Sequence, residues 1–233
     1  MNPKLGVTVI LALGGSVVHP KEGIDVRLLQ RFRTLIEKHL RRGTKFVFVV
    51  GGGALCREFL TAARRIRPLS KTEADWLGIH TTWPNAELVR LVFGKQAASK
   101  IITSEESVPS KLTHPVTVSG GWRPGWSTDY VAVKIAEKLG VQTTLIAGKP
   151  AFVYDKNPDK FKDARPQEVM TWKDYRKLIP KKWVAGAHAP VDPSAARLAA
   201  KSGLTCIVLD GKNFKNLDAL LSGKKFQGTI ISR

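Results

Sequence analysis

FVFVVGGGALCRE, Phe46–Glu58, is the stretch that decides how the rest of the chain is understood. Five consecutive apolar residues, Phe46–Val50, run into three glycines, Gly51–Gly53, and then into helix-forming residues. A short apolar run bounded by glycine has the pattern of a buried strand that delivers a loop to a helix N-terminus. Glycine permits positive φ there, and its missing Cβ lets backbone N–H groups reach a phosphate at the start of the helix. Arg57, one turn into the helix, adds a fixed positive charge at the same place. A tight strand-to-helix turn with no ligand explains a lone glycine triplet equally well. The choice between the two rests on the flanking sequence.

Upstream, the β-branched run Val7–Leu13 ends in Gly14-Gly15-Ser16, a second strand with a glycine turn and a hydroxyl. Between the two runs, Leu28, Leu29, Phe32, Leu35, Ile36 and Leu40 recur at helical spacing with Arg and Lys opposite, and Gly43 follows as a stop. Strand, helix, strand in this order predicts a parallel sheet covered by helices, with both glycine loops on one edge, where ligands bind in open α/β sheets. Downstream comes a basic helix to about Arg65. Ser70–Phe93 follows as one long helix or two joined at Pro84, with Asn85 beside it. Asp75 in this segment is suited to hold a ribose hydroxyl, or to cap or pair with a neighbouring base. A third strand, Val116–Ser119, leads into GGWRPGWSTDYVA and a helix over Asp129–Leu139, where Ser127 and Thr128 offer either an anion site or an ordinary N-cap. Three such loops on one edge point to one polyphosphate ligand or two anionic ligands.

The remaining segments close the fold. A short helix is expected near Trp172–Arg176. Lys181 and Lys182 precede the turn WVAGAHAP, whose His188 suits a surface or capping role or the rim of a second ligand site. Asp192 and Pro193 have the N-cap and N1 pattern for a helix over Ser194–Ser202. Leu204–Leu209 and Thr229–Ile231 are expected strands flanking a helix at Asn213–Leu221, and Lys156–Arg165 is the one candidate linker.

Thirty-eight basic against 19 acidic residues give a formal charge of +19, which favours anionic partners. The cations are spread along the chain, so a nucleic-acid partner is disfavoured relative to small phosphates. With 233 residues and 43% hydrophobic content the chain is expected to be a soluble, cytoplasmic globular protein with no membrane partner. Cys56 and Cys206 are expected as buried, reduced thiols rather than a disulfide or metal site.

VILALGGSV, VVGGGALCREFL, ADWLGIHTTWPNAEL, SGGWRPGWSTDYVAVKIAEKLG, FVYDKNPDKF, APVDPSAARLAAKSG and GTII resemble, in order and spacing, the amino-acid kinase superfamily, and within it the archaeal-type uridylate kinases. The resemblance spans nearly the whole chain. It implies an α/β fold, a three-layer αβα sandwich around a mainly parallel sheet. Residues 1–233 would form a single domain, with an acceptor lobe over about 1–140 and an ATP lobe over about 141–233. It further implies transfer of the ATP γ-phosphoryl group to UMP, Mg²⁺ carried by the nucleotide with no protein metal ligand, and a homo-oligomer, usually a hexamer.

Carried over residue by residue, Gly14, Gly15 and Ser16 resemble the first phosphate loop, with Gly15 and Ser16 at the transferring group. Gly52 and Asp75 match acceptor contacts, Asp75 at the uridine ribose, and Gly53 and Arg57 match the junction with the ATP side. Trp122, Arg123, Pro124, Gly125, Trp126, Ser127 and Thr128 match the loop over the UMP base and phosphate. Gly148, Lys149, Tyr154 and Asn157 match ATP positions.

The donor side departs from the family pattern. Thr-Asn-Val-Asp-Gly-Val-Tyr is replaced by Gly148-Lys149-Pro150-Ala151-Phe152-Val153-Tyr154, so the central carboxylate and glycine become Ala151 and Phe152, and a later Asp becomes Asn157. Ala12 stands where many members place a catalytic lysine, and Lys149 is the candidate replacement cation. Two alternatives therefore stand beside a UMP kinase: a catalytically silent nucleotide- or anion-binding homologue, and a kinase of the same fold acting on another small phosphate or carboxylate.

Overall fold

The computed structural model describes residues 3, 5–158, 160–180 and 189–233. Nine strands and eight α-helices are found among them: β1 (Thr8–Leu13), α1 (Gly15–Val18), α2 (Val26–Leu40), β2 (Lys45–Val50), α3 (Gly53–Ile66), α4 (Lys71–Phe93), β3 (Val116–Ser119), α5 (Thr128–Leu139), β4 (Thr143–Gly148), β5 (Val153–Tyr154), β6 (Pro166–Gln167), β7 (Val169–Thr171), α6 (Trp172–Leu178), α7 (Pro193–Ser202), β8 (Thr205–Asp210), α8 (Phe214–Leu221) and β9 (Thr229–Ser232). Seven strands form one sheet in the order β3-β2-β1-β4-β8-β9-β7. Every pairing in it is parallel except β8 with β9. No described helix is long and apolar enough to cross a membrane.

The apolar runs become central strands because both of their faces are covered. Alternate residues point to opposite sides. Leu11, Leu13, Phe46, Phe48 and Val50 pack under α2, α8 and the C-terminal half of α4, whereas Ile10, Ala12, Val47 and Val49 pack under α5, α6 and α7. On the first side Phe48 stacks on Phe46 and Phe93 with ring centroids 5.5 Å apart and leans on Phe32 at 5.3 Å. The three-layer sandwich is thus set by two apolar cores on either side of one sheet.

Ser70–Phe93 is a single helix through Pro84. Its start is fixed by a capping box, in which the Ser70 hydroxyl accepts from Glu73 N and the Glu73 carboxylate accepts from Ser70 N. Asp192 caps α7 with Pro193 as its first residue, as the sequence pattern requires. Lys156–Arg165 is not a linker. It joins the antiparallel strands β5 and β6, with Asp155 Oδ1 accepting from Arg165 N at 2.8 Å. Cys206 is buried, but Cys56 is only half-buried, because α3 lies at the end of the sandwich and buries Leu60 alone. Lys181, Lys182 and His188 lie outside the described residues.

Candidate active site

All three glycine loops leave the C-terminal ends of parallel strands, β1, β2 and β3, on one edge of the sheet. The first two are locked together backbone to backbone. A Cβ on Gly15 would lie 2.0 Å from Gly53 N, and one on Gly53, whose φ is +63°, would lie 2.4 Å from Gly15 O. Ala54 N donates to His19 O at 2.9 Å across the same contact. Two loops that carry acceptable anion donors are thereby brought closer than any side chain allows. Ser16 sits half-buried in the short helix α1, and Arg57 projects exposed from the second turn of α3; neither side chain hydrogen-bonds to a described residue.

Helix α4 is the rail on which the second and third glycine loops are mounted. Asn85 Nδ2, buried in the second half of the helix, donates to Gly51 O and Gly52 O, both at 3.0 Å. Thr82 Oγ1 accepts from Gly121 N at 2.7 Å while Trp83 Nε1 donates to Gly121 O at 3.0 Å, so both backbone polar groups of Gly121 are held by one turn of helix. Two turns earlier, Asp75 Oδ2 accepts from Gly125 N at 2.9 Å. Asp75 is 6% exposed and its other oxygen, Oδ1, is buried without a hydrogen-bond partner. Such an oxygen is costly to bury unless something donates to it. It is neither a cap nor one half of an ion pair.

Within the third loop the side chains separate into two groups. Trp122 is 5% exposed, packs in the core beneath α5 and donates Nε1–H to Ser119 Oγ at 2.9 Å. Its indole therefore belongs to the core. Arg123 is exposed with its Cζ over Trp126, 3.7 Å from the ring centroid, and Trp126 in turn packs on Tyr130 at 4.5 Å. This fixes a guanidinium at the rim of the loop. Gly125 has φ +83°, which glycine tolerates, and follows Pro124. Ser127 is the N-cap of α5, its Oγ accepting from Tyr130 N, while the Thr128 hydroxyl makes no hydrogen bond to a described residue.

Ser127 also donates to Asp192 Oδ2, and Asp192 N donates to Asp129 Oδ2 at 3.4 Å. Two carboxylates thus meet where α5 and α7 begin. Burial, and then the negative charge of Asp192, push the Asp129 carboxyl up to about 7. Burial likewise raises Asp192, against the pull of its hydrogen bonds from Ser127, Ala195 and Ser194. Cys206 beneath them is pushed up to about 12, chiefly by burial.

The expected donor residues line a neighbouring part of the same edge. Gly14 N donates to Ala147 O at 2.8 Å, and Gly211 N, after β8, donates to Gly148 O at 3.0 Å. A Cβ on Gly211 would meet Ala147 O at 2.7 Å and Val17 Cγ2 at 2.8 Å, so the loop after β8 closes on β4 and α1 with no room for a side chain at this position. Lys149 is exposed and has no described partner. Ala151 and Phe152 lie in the loop before β5, where Phe152 packs edge-on to Tyr154 at 6.5 Å. Asn157 turns the chain after β5, its carbonyl accepting from Lys160 N and Phe161 N. The short strand β5 is tied to the sheet by Thr229, whose hydroxyl accepts from Val153 N and donates to Gln167 O.

Residues 7–210 match the sequence profile of the Amino acid kinase family. The chain belongs to that family. It is 32% identical to a uridylate kinase of Methanocaldococcus jannaschii over 96% of this chain and 98% of the relative. It is 34% identical to a uridylate kinase of Halorubrum lacusprofundi over 92% and 89%, respectively. Among solved structures, uridylate kinase from Archaeoglobus fulgidus superposes with a TM-score of 0.80 at 27% identity, covering 96% of this chain and 99% of that one. The family assignment makes the chain a phosphotransferase of the kind that resembles uridylate kinases.

Thr82, Trp83 and Asn85 are site-building residues that the sequence pattern did not single out for this role. Their signal is present nonetheless. TTWPN places polar residues on what has to be a buried helix face, and buried polar side chains require partners.

Proposed function

We propose that this protein is a UMP kinase, transferring the γ-phosphoryl group of ATP to UMP to give UDP. The observation that carries the proposal is the unpartnered buried Oδ1 of Asp75, beside a loop tethered to α4 that ends in a Thr128 hydroxyl, without a described hydrogen-bond partner, at a helix N-terminus. A carboxylate oxygen there suits a ribose hydroxyl, and the helix N-terminus suits the acceptor phosphate.

The transfer itself asks the protein mainly to align two polyanions and offset their repulsion. Gly14, Gly15 and Ser16 face the ATP phosphates. Gly52 and Gly53 offer backbone N–H groups from the interlocked second loop, Arg57 supplies positive charge while the phosphoryl group is in transit, and Arg123 grips from the rim. Gly148, Lys149, Tyr154 and Asn157 bind ATP, with the exposed Lys149 as the cation of the donor side. Mg²⁺ carried by the nucleotide would lower the charge of its phosphates, and no residue of the chain is assigned to hold it. The test is UDP formation from UMP and Mg-ATP by the purified protein, with CMP, AMP and GMP as competitors.

A second possibility is supported by Ala151 and Phe152, which leave the donor loop without a carboxylate: a nucleotide-binding homologue that does not turn over. It requires UMP to bind while Mg-ATP does not.

We further propose that the enzyme is cytoplasmic and works as a homo-oligomer, a hexamer by family resemblance. Phe59 (47% exposed) and Ile66 (87%), seven residues and so about two turns apart on α3, offer apolar contacts for self-association. Phe59→Glu with Ile66→Glu is expected to lower the mass seen in sedimentation equilibrium.

A further inference from the structure

Helices α5 and α7 are each capped by their own N-cap residue. Ser127 Oγ accepts from Tyr130 N, and Asp192 Oδ1 accepts from Ser194 N at 2.7 Å and Ala195 N at 3.1 Å. Capping leaves over the hydroxyl hydrogen of Ser127 and the second oxygen of Asp192, and these two bond to each other. The return bond runs from Asp192 N to Asp129 Oδ2. Stability alone does not call for this arrangement, since it sets two acidic groups side by side in a buried place, where each disfavours the other's charge.

What the arrangement does supply is mechanical continuity. On one side, Ser127 is the last residue of the loop that Thr82, Trp83 and Asp75 mount on α4. On the other, the chain entering α7 is clamped to α6: Tyr175 OH donates to Val191 O at 2.5 Å and accepts from Val191 N at 2.7 Å. Helix α6 continues directly from β7, which pairs with β9, and on β9 Thr229 holds Val153 of the donor hairpin at 2.8 Å. Hydrogen bonds and packed elements therefore run without a break from the expected acceptor loop to the expected donor hairpin. The Ser127–Asp192 bond is the step at which that line passes from α5 to α7.

We propose that Asp192 is a positioning residue, and that its bond to Ser127 makes occupancy of the acceptor loop felt at the donor hairpin, so that UMP and ATP strengthen each other's binding. The proposal rests on the UMP kinase assignment above. A ligand gripping the loop restrains Ser127, and a restrained Ser127 narrows the positions open to α7, α6 and the hairpin; the second ligand then has less left to order.

The experiment is a calorimetric titration of UMP with and without saturating Mg-AMP-PNP, on the wild type, Asp192→Ser and Asp192→Asn. Serine keeps a cap for α7 but is too short to reach Ser127, whereas asparagine keeps both the cap and a polar atom facing it. In the wild type the nucleotide is expected to tighten UMP at least about fivefold, the lower end of ordinary site–site coupling. In Asp192→Ser the two ligands are expected to bind independently, each alone within about threefold of its wild-type affinity, and Asp192→Asn is expected to recover most of the coupling. A residue that only stabilised α7 would weaken each ligand or lower the melting temperature without touching the coupling factor.

Wild-type coupling in Asp192→Ser, or none in the wild type although both ligands bind, overturns the proposal while leaving the kinase assignment in place. Absence of UMP binding in the wild type overturns both. Should Asp192→Ser fail to fold, Asp192→Gly, which keeps a tolerated N-cap residue with no side chain to reach Ser127, is read in the same way.

Discussion

Replacing Asp75 by alanine removes two oxygens with different duties. Oδ2 receives Gly125 N, a bond at the edge of the loop whose donor can turn to water, so its loss costs about 1 kcal/mol of stability. Oδ1 is buried and unpaired, and in a UMP kinase a ribose hydroxyl would complete it. A hydrogen bond to a charged group is worth about 1.5–3 kcal/mol, so Asp75→Ala should weaken UMP binding by about ten- to 150-fold. Asp75→Asn keeps an acceptor for Gly125 and should fall between the two. Calorimetric titration measures the affinities, and repeating it with 2′-deoxy- and 3′-deoxy-UMP locates the partner. The wild type should discriminate against one of these analogues, and Asp75→Ala should bind it as well as UMP. Unchanged UMP affinity in Asp75→Ala, or discrimination that survives the substitution, would mean that Asp75 Oδ1 does not hold the ribose.

Three further outcomes are expected. Arg57→Ala should lower kcat on the order of 100-fold with a smaller change in UMP affinity, because charge in transit gains most from a fixed cation; equal losses in steady-state kinetics and titration would make Arg57 a simple binding residue. Gly53→Ala forces φ +63° on an L-residue and drives Cβ into Gly15 O, so the melting temperature should fall by at least about 4 °C for a cost above about 1–2 kcal/mol. Asp129 is raised from 3.8 to about 7, so between those values the unfolded chain releases a proton that the folded chain keeps. Folding stability contributed by this group therefore falls as pH rises from about 4 to about 7, and Asp129→Asn should flatten that part of a urea-denaturation series against pH.

Much of the fold was legible because its central strands are short, apolar and punctuated by glycine. Phe46–Val50 and Val7–Leu13 admit little else once both faces must be covered, and the three loops fall on one edge by parallel topology alone. The reason for the glycines was only half legible. Room for a ligand backbone contact was expected, but Gly15 and Gly53 first make room for each other, a contact between residues far apart in sequence. Pro84 reads as an interruption, yet α4 runs through it, since a proline removes one helical hydrogen bond and the surrounding Thr82, Trp83 and Asn85 are tied into the loops. Asp75 could be assigned a ribose only through resemblance, because its partner Gly125 lies fifty residues away. Asp192 was legible as a cap and not as a bridge, since nothing local in sequence reports that α5 begins beside it.

Phosphoryl transfer to UMP is measured by following UDP formation from UMP and Mg-ATP, with Mg-ATP binding titrated on the same sample. Mg-ATP is expected to bind, and UDP to accumulate at a rate that falls in Lys149→Ala and Arg57→Ala. UMP binding with no Mg-ATP binding and no UDP would contradict phosphoryl transfer, and would identify Ala151 and Phe152 as the mark of a donor site that no longer works.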